Sequence, residues 1–344
     1  MSSDSTGPAL VFDHGSRIFK AGLCLDNTPS IVEPTVTSNT TDETMYAMAY
    51  HTLSLSSSSS SFSSSSHPAV LANDSTTPYT HLETTASIFF EKFGSPSLLF
   101  EKSPVLSLYS VGRTNGISVD SGYATTKIVH AWQGFVVDYT ATNNSSKAGQ
   151  HVNMRLREVL LADDGVGLDD EDVVDDIKES CCFVSDILKD DGSSSMDDGK
   201  EKDYELPDGK VLKLKAEDCA SAGEVLFRSD SWGGLGVHEA VQRTIGRCDD
   251  DLRAGLYGQI VLSGGTTMLS GYAARLQKEL ESNAPVGVRV NIIASPARKY
   301  AAWIGGAIAG RDSTLMKHMA VTKAEYEEAG GSIIRRKFIG YPSK

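Results

Sequence analysis

Short apolar runs alternate along this chain with longer segments in which apolar residues recur at helical spacing. Three of the short runs are rich in aliphatic and β-branched residues, end at Asp, Gly or Ser, and are predicted strands: ALVF (9–12), GISV (116–119) and IVLS (260–263). Three of the longer segments are predicted helices: LETTASIFFEKF (82–93), RLREVLL (155–161) and GYAARLQKELES (271–282). Strands that alternate with helices predict an α/β protein. Trp232 and Trp303 are predicted core residues.

Three other segments contain few residues that could form a core. Residues 54–66 (SLSSSSSSFSSSS) are almost entirely serine, which buries little surface and competes with regular backbone pairing. Residues 141–149 and 189–203 are rich in small and polar side chains. We expect a surface segment in the serine tract and exposed loops in the other two. The acidic stretch 163–176 is predicted to be a solvated loop that leads into a helix start.

Composition limits the classes of function. The chain has 344 residues, which fits two domains, and 40% of them are hydrophobic. Its net charge of -13 argues against binding to nucleic-acid phosphates, which requires clustered Lys and Arg. No apolar run approaches the roughly 18 residues that span a bilayer, and the N-terminus lacks the features of a signal peptide. From these features we expect no membrane partner and no direct nucleic-acid partner. The five cysteines show no CxxC spacing, so we expect reduced thiols in an intracellular protein.

One plan occurs twice, about a hundred residues apart. ALVFDHGSRIFKAGL (9–23) and GISVDSGYATTKIVHAW (116–132) each place a strand that ends in Asp before a Gly/Ser turn and a returning strand. The repetition predicts two similar domains that face each other. Gly and Ser turns expose N–H groups and hydroxyls to phosphate oxygens, Asp can orient magnesium-bound water, and Lys20 can meet a phosphate. The loop SGGTTM (263–268) follows a predicted strand, and its glycines allow a flat ligand to approach the backbone.

Several long motifs resemble those of actin and the actin-related proteins, and they occur in family order. They are ALVFDHGSRIFKAGLCLDNTP (9–29), VLSLYSVGRTNGISVDSG (105–122), YELPDGKVLKL (204–214), IVLSGGTTMLSGYAARLQKEL (260–280), RKYAAWIGGAIA (298–309) and AEYEEAGGSIIRRKF (324–338). The resemblance implies an actin-like ATPase fold, in which two RNase-H-like domains surround a cleft that holds ATP or ADP and a divalent cation. It implies an outer domain of residues 1–110 plus 308–344, and an inner domain of residues 111–307 with a flexible loop near 189–203.

The resemblance also assigns nucleotide-binding roles by position. Asp13, Gly15, Ser16 and Lys20 match the first phosphate hairpin of the family, and Asp120, Ser121 and Gly122 match the second. Lys178 and Glu179 match the pair that contacts the nucleoside, Gly264, Gly265, Thr266 and Met268 match the loop around ribose and base, and Lys299 matches the lysine on the adenine side. Asp13 and Asp120 are the implied metal ligands, through water.

Four positions depart from the family pattern beside the phosphates. Arg17 and Lys127 stand where the family has a glycine and a histidine. Tyr123 replaces an acid of the metal's water shell, and Ala124 replaces the glycine beside it. The sum of the cleft charges therefore moves from about -2 to about +1, which weakens the case for Mg²⁺.

The two added cations allow different outcomes. Arg17 and Lys127 could replace the metal against the phosphates, or they could pair with Asp13 and Asp120 in an empty cleft; a third alternative is that Arg17 points to solvent. Ser103 stands at the family's water-positioning glutamine and is too short to hold a water at the same distance. We therefore expect nucleotide binding with little or no hydrolysis, and no catalytic residue.

Residues 35–66 depart in length. Between TPSIVEP (28–34) and HPAVL (67–71) the family has a longer segment, which builds a subdomain for filament contacts. Here a serine-rich stretch replaces it, and ordering oligoserine into a contact would cost about 1–2 kcal/mol per residue. We expect a reduced filament-contact subdomain and no actin-type filament from the protein alone. The ending IGYPSK (339–344) also departs from the family.

These features favour a non-polymerising or weakly polymerising actin-related protein. It would be a structural subunit of a larger cytoskeletal, flagellar or chromatin assembly, with protein partners and an adenine nucleotide. The alternative is a divergent filament-forming actin with ATPase activity, and a third hypothesis is a chaperone-like or sugar-kinase relative of the same superfold. No basic run marks a nuclear signal, so we expect a cytoplasmic, cytoskeleton-associated protein, with the nucleus as the alternative.

Overall fold

The computed structural model describes residues 6–35, 42–56, 63–144, 147–164, 168–185, 202–229 and 234–341. The chain forms two compact units. Unit 1 comprises Met1–Asn115, Ala131–Asp138 and Tyr300–Lys344, and unit 2 comprises Gly116–His130 and Tyr139–Lys299. Each unit combines strands with helices, so the predicted α/β class is confirmed. Within the described residues, no helix is both long and apolar enough to cross a membrane.

The secondary-structure elements of the described residues are numbered in chain order. The strands are β1 (Leu10–His14), β2 (Ile18–Leu23), β3 (Ile31–Pro34), β4 (Ala69–Asn73), β5 (Ser97–Lys102), β6 (Gly116–Ser121), β7 (Thr126–Trp132), β8 (Phe135–Val136), β9 (Thr142–Asn144), β10 (Lys202–Glu205), β11 (Val211–Leu214), β12 (Ile260–Ser263), β13 (Ile292–Ile293) and β14 (Val321–Thr322). The helices are α1 (Asp42–Ser56), α2 (Tyr79–Ser87), α3 (Ser103–Tyr109), α4 (Gly149–Asp164), α5 (Glu171–Cys181), α6 (Ala216–Glu224), α7 (Val237–Gly246), α8 (Asp250–Leu256), α9 (Tyr272–Asn283), α10 (Ala301–Arg311), α11 (Ser313–Met319), α12 (Lys323–Ala329) and α13 (Ser332–Lys337).

Unit 1 is built on a six-stranded sheet with the order β14-β5-β4-β1-β2-β3. β1 pairs antiparallel with β2 and parallel with β4, and β4 pairs parallel with β5. The first four residues of β1 and of β4 are buried, as expected for parallel strands in the middle of a covered sheet. Trp303 of α10 is fully buried and donates its indole N–H to Val11 O across 3.2 Å. The core position predicted for Trp303 is confirmed, whereas Trp232 lies outside the described residues.

Helix α1 lies within the segment 35–66, which is predicted to be a serine-rich replacement of a subdomain. Asp42–Ser56 form this helix of 15 residues, and the prediction about the subdomain stays a prediction. Its buried side chains are Met45, Tyr46, Ala49, Tyr50 and Leu53. Tyr46 packs edge-on against Phe12 of β1, with ring centroids 5.4 Å apart. The buried positions recur at three- and four-residue spacing, which is the pattern of one apolar helix face.

The serine tract itself is only partly a separate surface segment. Its first three residues end α1, and Ser64–Ser66 form a 3₁₀ turn. Ser64 donates its hydroxyl to Phe93 O across 2.7 Å, which ties the turn to the end of the helical segment 79–93. Residues 57–62 of the predicted surface segment lie outside the described residues. The helix predicted over 82–93 is present, and its last turn, Ile88–Lys92, has π-helical geometry.

Unit 2 contains the second sheet, in which β13, β12 and β6 run parallel and β7 follows β6. The strands predicted over 116–119 and 260–263 are confirmed as parts of β6 and β12, and all of β12 is buried. The helices predicted over 155–161 and 271–282 are confirmed within α4 and α9. A hydrophobic core under this sheet gathers side chains from α4 to α9.

Two of the predicted loops are partly strands. Residues 142–144 form β9, which pairs antiparallel with β7 so that Thr142 lies opposite Ile128. Thr142 also accepts a hydrogen bond from the Thr244 hydroxyl across 2.9 Å. Most of the loop predicted over 189–203 lies outside the described residues, but Lys202 and Asp203 belong to β10 and pair with β11. In both places, backbone pairing with a neighbouring strand stabilises a strand that the local composition does not favour.

The acidic stretch 163–176 leads into a helix, as predicted. α5 begins at Glu171, and the Asp170 side chain caps it by accepting the backbone N–H of Asp172 across 2.9 Å. The carboxylates at the start of α5 also suit the positive end of the helix dipole. All five cysteines are buried and have free thiols.

Candidate functional site

The first candidate hairpin joins β1 to β2 in unit 1 by a tight turn, and Thr35 hydrogen-bonds to this turn. Gly15 N donates to Ile18 O across 3.1 Å and closes the turn around Ser16 and Arg17. Thr35 holds both ends of this turn, since its N–H donates to Arg17 O at 2.8 Å and its hydroxyl to Gly15 O at 2.7 Å. A Cβ at position 15 would lie 2.7 Å from Ile18 O, which explains the glycine. Ser16 is exposed and Arg17 is half-buried at the tip.

Asp13 and Lys20 lie opposite each other in the register of this hairpin. The Lys20 ammonium donates to Asp13 Oδ2 across 2.7 Å, and both side chains are 13% exposed. The residue predicted to orient magnesium-bound water is therefore neutralised by the residue predicted to meet a phosphate. Next to Asp13, His14 packs edge-on against Phe19 with centroids 5.4 Å apart, and burial holds the pKa of His14 below its usual value.

The second candidate hairpin, β6–β7 in unit 2, is also closed by a short backbone contact. Gly122 N donates to Thr125 O across 3.0 Å. Ser121 is fully buried, and its hydroxyl hydrogen-bonds the Thr126 hydroxyl at 2.6 Å. Gly122 O accepts from Gly149 N, the first residue of α4, at 3.0 Å. The Ser121 hydroxyl is thus already hydrogen-bonded within unit 2.

The loop 263–268 lies directly against this second hairpin. Ser263 is the register partner of Asp120, and Thr266 donates its hydroxyl to Gly122 O across 2.7 Å. Gly264 has φ 88°, and a Cβ there would lie 2.2 Å from Ser121 O, so only glycine fits. Gly265 is exposed, with open space where a Cβ would stand, and Met268 is 38% exposed. Within unit 2, the structure brings together these two predicted parts of the site.

Tyr123 connects the second hairpin to helix α5. Its hydroxyl donates to Glu171 Oε1 across 2.6 Å, and the Lys178 ammonium lies 5.6 Å from the centroid of its ring. Lys178 is buried and also donates to Asp175. Burial would raise the pKa of Glu171, but hydrogen bonds from Tyr123, Arg157 and Asn153 outweigh it and lower that pKa.

Two predicted nucleoside contacts lie in less protected positions. Glu179 is exposed on α5, unlike its neighbour Lys178. Lys299 is exposed as well. The residue beside it, Arg298, contacts the loop 263–268: its carbonyl accepts a hydrogen bond from Gly264 N at 3.2 Å, and its guanidinium donates to Thr267 O at 2.9 Å. The roles assigned to Glu179 and Lys299 remain predictions.

Lys127 is buried on β7. Burial lowers the pKa of its ammonium to about 8. At neutral pH such a lysine is still protonated. It loses its proton at a lower pH than an exposed lysine does, because burial disfavours the charged form. Its position on the strand after the turn places it opposite Asn143 of β9.

Ser103 begins α3 in unit 1. Its hydroxyl donates to Asn73 O across 3.1 Å, and its carbonyl accepts the Ser107 hydroxyl at 2.8 Å. The Ser103 side chain therefore links α3 to the end of β4. The residue two positions earlier, Glu101, was missed by sequence reasoning: burial raises the pKa of its carboxyl to about 7. The sequence feature that could have identified Glu101 is a carboxylate near the end of the apolar strand SLLFEK.

The residues present do not fit a magnesium shell well. Asp13 is already neutralised by Lys20, and position 123 offers a phenol that is bonded to Glu171. Among the described residues, no group of three His, Cys, Asp or Glu side chains is arranged to hold a metal ion. Each unit also places cations at its own candidate segment: Arg17 at the tip of the first hairpin in unit 1, and Lys127 and Lys178 on β7 and α5 in unit 2. Cations of this kind suit phosphate oxygens better than a metal ion.

A protein-family model described as Actin matches this chain over residues 43–168 and 166–339. The matched segments include the second hairpin, α5 and the loop 263–268. The first hairpin, residues 10–23, precedes them, so its assignment stands on its own motif and geometry.

Proposed function

The chain belongs to the actin family, and from this premise we propose that it is a structural actin-related protein that binds ATP or ADP with little or no hydrolysis. The two sheets and their helices fit the actin-like two-domain fold. Proteins of this family generally bind adenine nucleotides and protein partners. We propose that this one is a subunit of a cytoskeletal, flagellar or chromatin assembly, in the cytoplasm or alternatively in the nucleus.

Arg17, in the turn beside the Lys20–Asp13 pair, carries the proposal. A bound Mg²⁺ ion keeps several waters and is held through carboxylates and substrate phosphates. An ammonium 2.7 Å from Asp13 Oδ2 neutralises this carboxylate and repels a divalent cation. Arg17 lies at the tip of the same turn and adds a positive charge. This hairpin therefore favours a phosphate anion over a hydrated metal ion.

Tyr123 supports the same conclusion from unit 2. The family has an acid at this position, and the phenol that replaces it donates to Glu171 and lies under the Lys178 ammonium. Tyr123 thus orients Lys178, a buried cation that can pair with a ligand's oxygen atoms. If a nucleotide binds, Lys178, Gly265 and Met268 are the residues of unit 2 that would hold it. Its phosphates would supply the negative charge that these cations attract.

Two further features argue against turnover and against polymerisation. Ser103, at the family's glutamine position, has its hydroxyl bonded to Asn73 O, so no side chain there is extended toward a water. Helix α1, within the segment 35–66, packs its apolar face into the core of unit 1. A helix whose apolar face is buried within its own unit cannot offer that face to a neighbouring subunit.

Binding and turnover can be measured on the same purified protein. Thermal melts with ATP, in Mg²⁺ and in EDTA, should show equal stabilisation; ATP at 100 times its dissociation constant adds about 2.7 kcal/mol. Phosphate release should stay at the level of the buffer, and the protein should remain in the supernatant under polymerising salt. Tyr123→Asp, which restores an acid, should make the ATP shift depend on Mg²⁺, while Tyr204→Phe serves as the matched tyrosine control. Magnesium-dependent phosphate release, or pelleting of a large fraction, would favour the alternative of a filament-forming ATPase.

A further inference from the structure

The C-terminal segment, residues 338–341, packs into unit 1 after the end of α13. Its first residue, Phe338, and its last, Tyr341, are both buried. The Phe338 ring packs edge-on against Phe100 of β5, with ring centroids 5.3 Å apart. The Tyr341 ring lies edge-on to that of Tyr79 on α2, with centroids 6.0 Å apart. Two aromatic residues therefore anchor a segment that belongs largely to the ending that departs in sequence from the family.

Tyr79 and Lys102 also bind the backbone of the C-terminal segment. The Tyr79 hydroxyl donates to Phe338 O across 2.7 Å, and the Lys102 ammonium donates to Gly340 O across 2.6 Å. The same ammonium lies 5.1 Å from the centroid of the Tyr341 ring. Side chains from α2 and from the end of β5 therefore fix the position of the chain end.

The Lys102 ammonium has a second oxygen partner, Asp138. Lys102 Nζ lies 3.1 Å from Asp138 Oδ1, and Lys102 itself is only 6% exposed. A buried ammonium needs an opposite charge and further hydrogen-bond acceptors, because its desolvation is costly. The Asp138 carboxylate supplies the charge, and Gly340 O supplies the additional acceptor.

Gly340 lies between these two charged groups. Its φ is 84°, a conformation that favours glycine. A Cβ at this position would stand 2.9 Å from Lys102 Nζ and 3.0 Å from Asp138 Oδ2, so a larger residue would have to displace the ammonium. The ion pair and the end of the chain therefore form one contact.

Asp138 ends the segment 131–138, through which the chain passes between two parts of unit 2. Trp132 and Phe135 of this segment are register partners in β7 and β8, and they are 44% and 65% exposed. Two large aromatic side chains thus reach solvent shortly before the carboxylate that Lys102 binds.

We propose that the C-terminal segment is a latch: through Lys102 it holds Asp138, and it thereby restrains the segment 131–138 with its exposed aromatic pair. A chain end can leave such a site without unfolding a helix or strand, because it is joined to the fold on one side only. Its release would remove Gly340 O from the ammonium and admit water to the ion pair, which weakens the contact with Asp138. All parts of the latch belong to unit 1, so it can be tested whether or not the candidate site binds a nucleotide.

Hydrogen exchange of the full-length protein, followed by mass spectrometry, tests the latch. Gly340→Ala should displace the Lys102 ammonium, and Lys102→Met removes it. Both variants should speed exchange about ten-fold in peptides that cover 133–138 and in peptides that cover the C-terminal segment. Peptides from β4, in the centre of the same unit, should exchange as in the unmodified protein, which shows that unit 1 remains folded. Faster exchange at the C-terminal segment alone, with 133–138 unchanged, would overturn the proposal.

Two further variants separate the latch from a general loosening of the chain end. Ile339→Ala alters a side chain of the same segment that is 82% exposed, and it should leave exchange at 133–138 unchanged. Asp138→Asn removes the opposite charge but keeps the bond from Lys102 to Gly340 O, so it should speed exchange at 133–138 while the C-terminal segment stays protected. Equal acceleration by Ile339→Ala and Gly340→Ala would contradict the role assigned to Lys102.

Discussion

Tyr123 donates its hydroxyl hydrogen to Glu171 Oε1 across 2.6 Å, and this bond joins the turn of the second hairpin to the first turn of α5. The carboxylate also accepts from Asn153 and from Arg157. The Tyr123 hydroxyl is thus one of three donors to the Glu171 carboxylate. The interaction determines where the tyrosine ring lies, and Lys178 packs over that ring.

Removal of the Tyr123 hydroxyl should have a modest and measurable cost. Tyr123→Phe is expected to lower the free energy of unfolding by about 1 kcal/mol, since Glu171 retains two other donors. Denaturant unfolding measures this loss. Tyr204→Phe is the matched control, because the Tyr204 hydroxyl also donates to a carboxylate, Asp176, at 2.6 Å but at an exposed position. The control should lose less than about 0.5 kcal/mol, and equal losses in the two variants would contradict the expectation.

The Asp13–Lys20 pair should behave as a coupled unit. Lys20→Met leaves a largely buried carboxylate without its cation and should cost about 2–4 kcal/mol. The double variant with Asp13→Asn should recover most of that loss, which gives a coupling energy above about 1 kcal/mol in a double-mutant cycle. The exposed pair Lys92–Glu43 provides the comparison, with an expected coupling below about 0.5 kcal/mol. Additive losses at Asp13 and Lys20 would show that their contact contributes nothing.

Lys127 should make the protein more stable as the pH rises through the alkaline range. Burial lowers its folded-state pKa to about 8 from 10.5, so the unfolded chain binds more protons between these values. Stability contributed by this group therefore rises from about pH 8 to about pH 10.5. Lys127→Met should remove that rise and should stabilise the protein at pH 7 by an amount on the order of 2–3 kcal/mol. Lys213→Met, at an exposed position of β11, is the control; a parallel pH dependence in wild type and Lys127→Met would refute this prediction.

Glu101 should act in the opposite direction in the acidic range. Its folded-state pKa is raised by burial from 4.5 to about 7, so the folded protein binds the proton more tightly than the unfolded chain. The stability from this group is present below about pH 4.5 and is lost as the pH rises to about 7. Glu101→Gln should therefore stabilise the protein at pH 8, on the order of 2–3 kcal/mol, with a gain that vanishes toward pH 4.5. Glu33→Gln, exposed on β3, should show no such trend in the same thermal melts.

The burial of α1 can be tested with two residues of the helix. Tyr50 is 7% exposed and packs on Phe93 with ring centroids 4.7 Å apart. Tyr50→Ala should lower the free energy of unfolding by about 3–5 kcal/mol. Met48 lies on the opposite face at 58% exposure, so Met48→Ala should stay within about 0.5 kcal/mol. Similar small losses in both variants would mean that α1 is not part of the core of unit 1.

Local patterns were sufficient for a large part of the fold. The apolar runs at 9–12, 116–119 and 260–263 are strands because β-branched and aliphatic residues followed by a polar stop suit a buried strand. The hairpin around Gly15 was also predictable, because a glycine and a serine between two apolar runs suit a tight turn, here closed by the bond from Gly15 N to Ile18 O. The motif resemblance identified the family that the comparison then confirmed.

Other features could not be predicted because their causes are distant in the sequence. β9 exists because β7 offers it backbone partners, and α1 is held by aromatic contacts with distant segments, such as that of Tyr46 with Phe12 of β1. The predicted hydroxyl ligand Ser121 is buried against Thr126, a pairing that only the folded hairpin shows.

The sequence by itself determined the α/β class, the family, and the residue types at the two hairpins, because these depend on local spacing and on side-chain chemistry. Only the tertiary structure decided which charges neutralise each other and which carboxyl and ammonium groups are buried enough to shift their pKa values. Such properties depend on the distance between atoms and on exclusion of water, and both are set by packing between segments far apart in the chain.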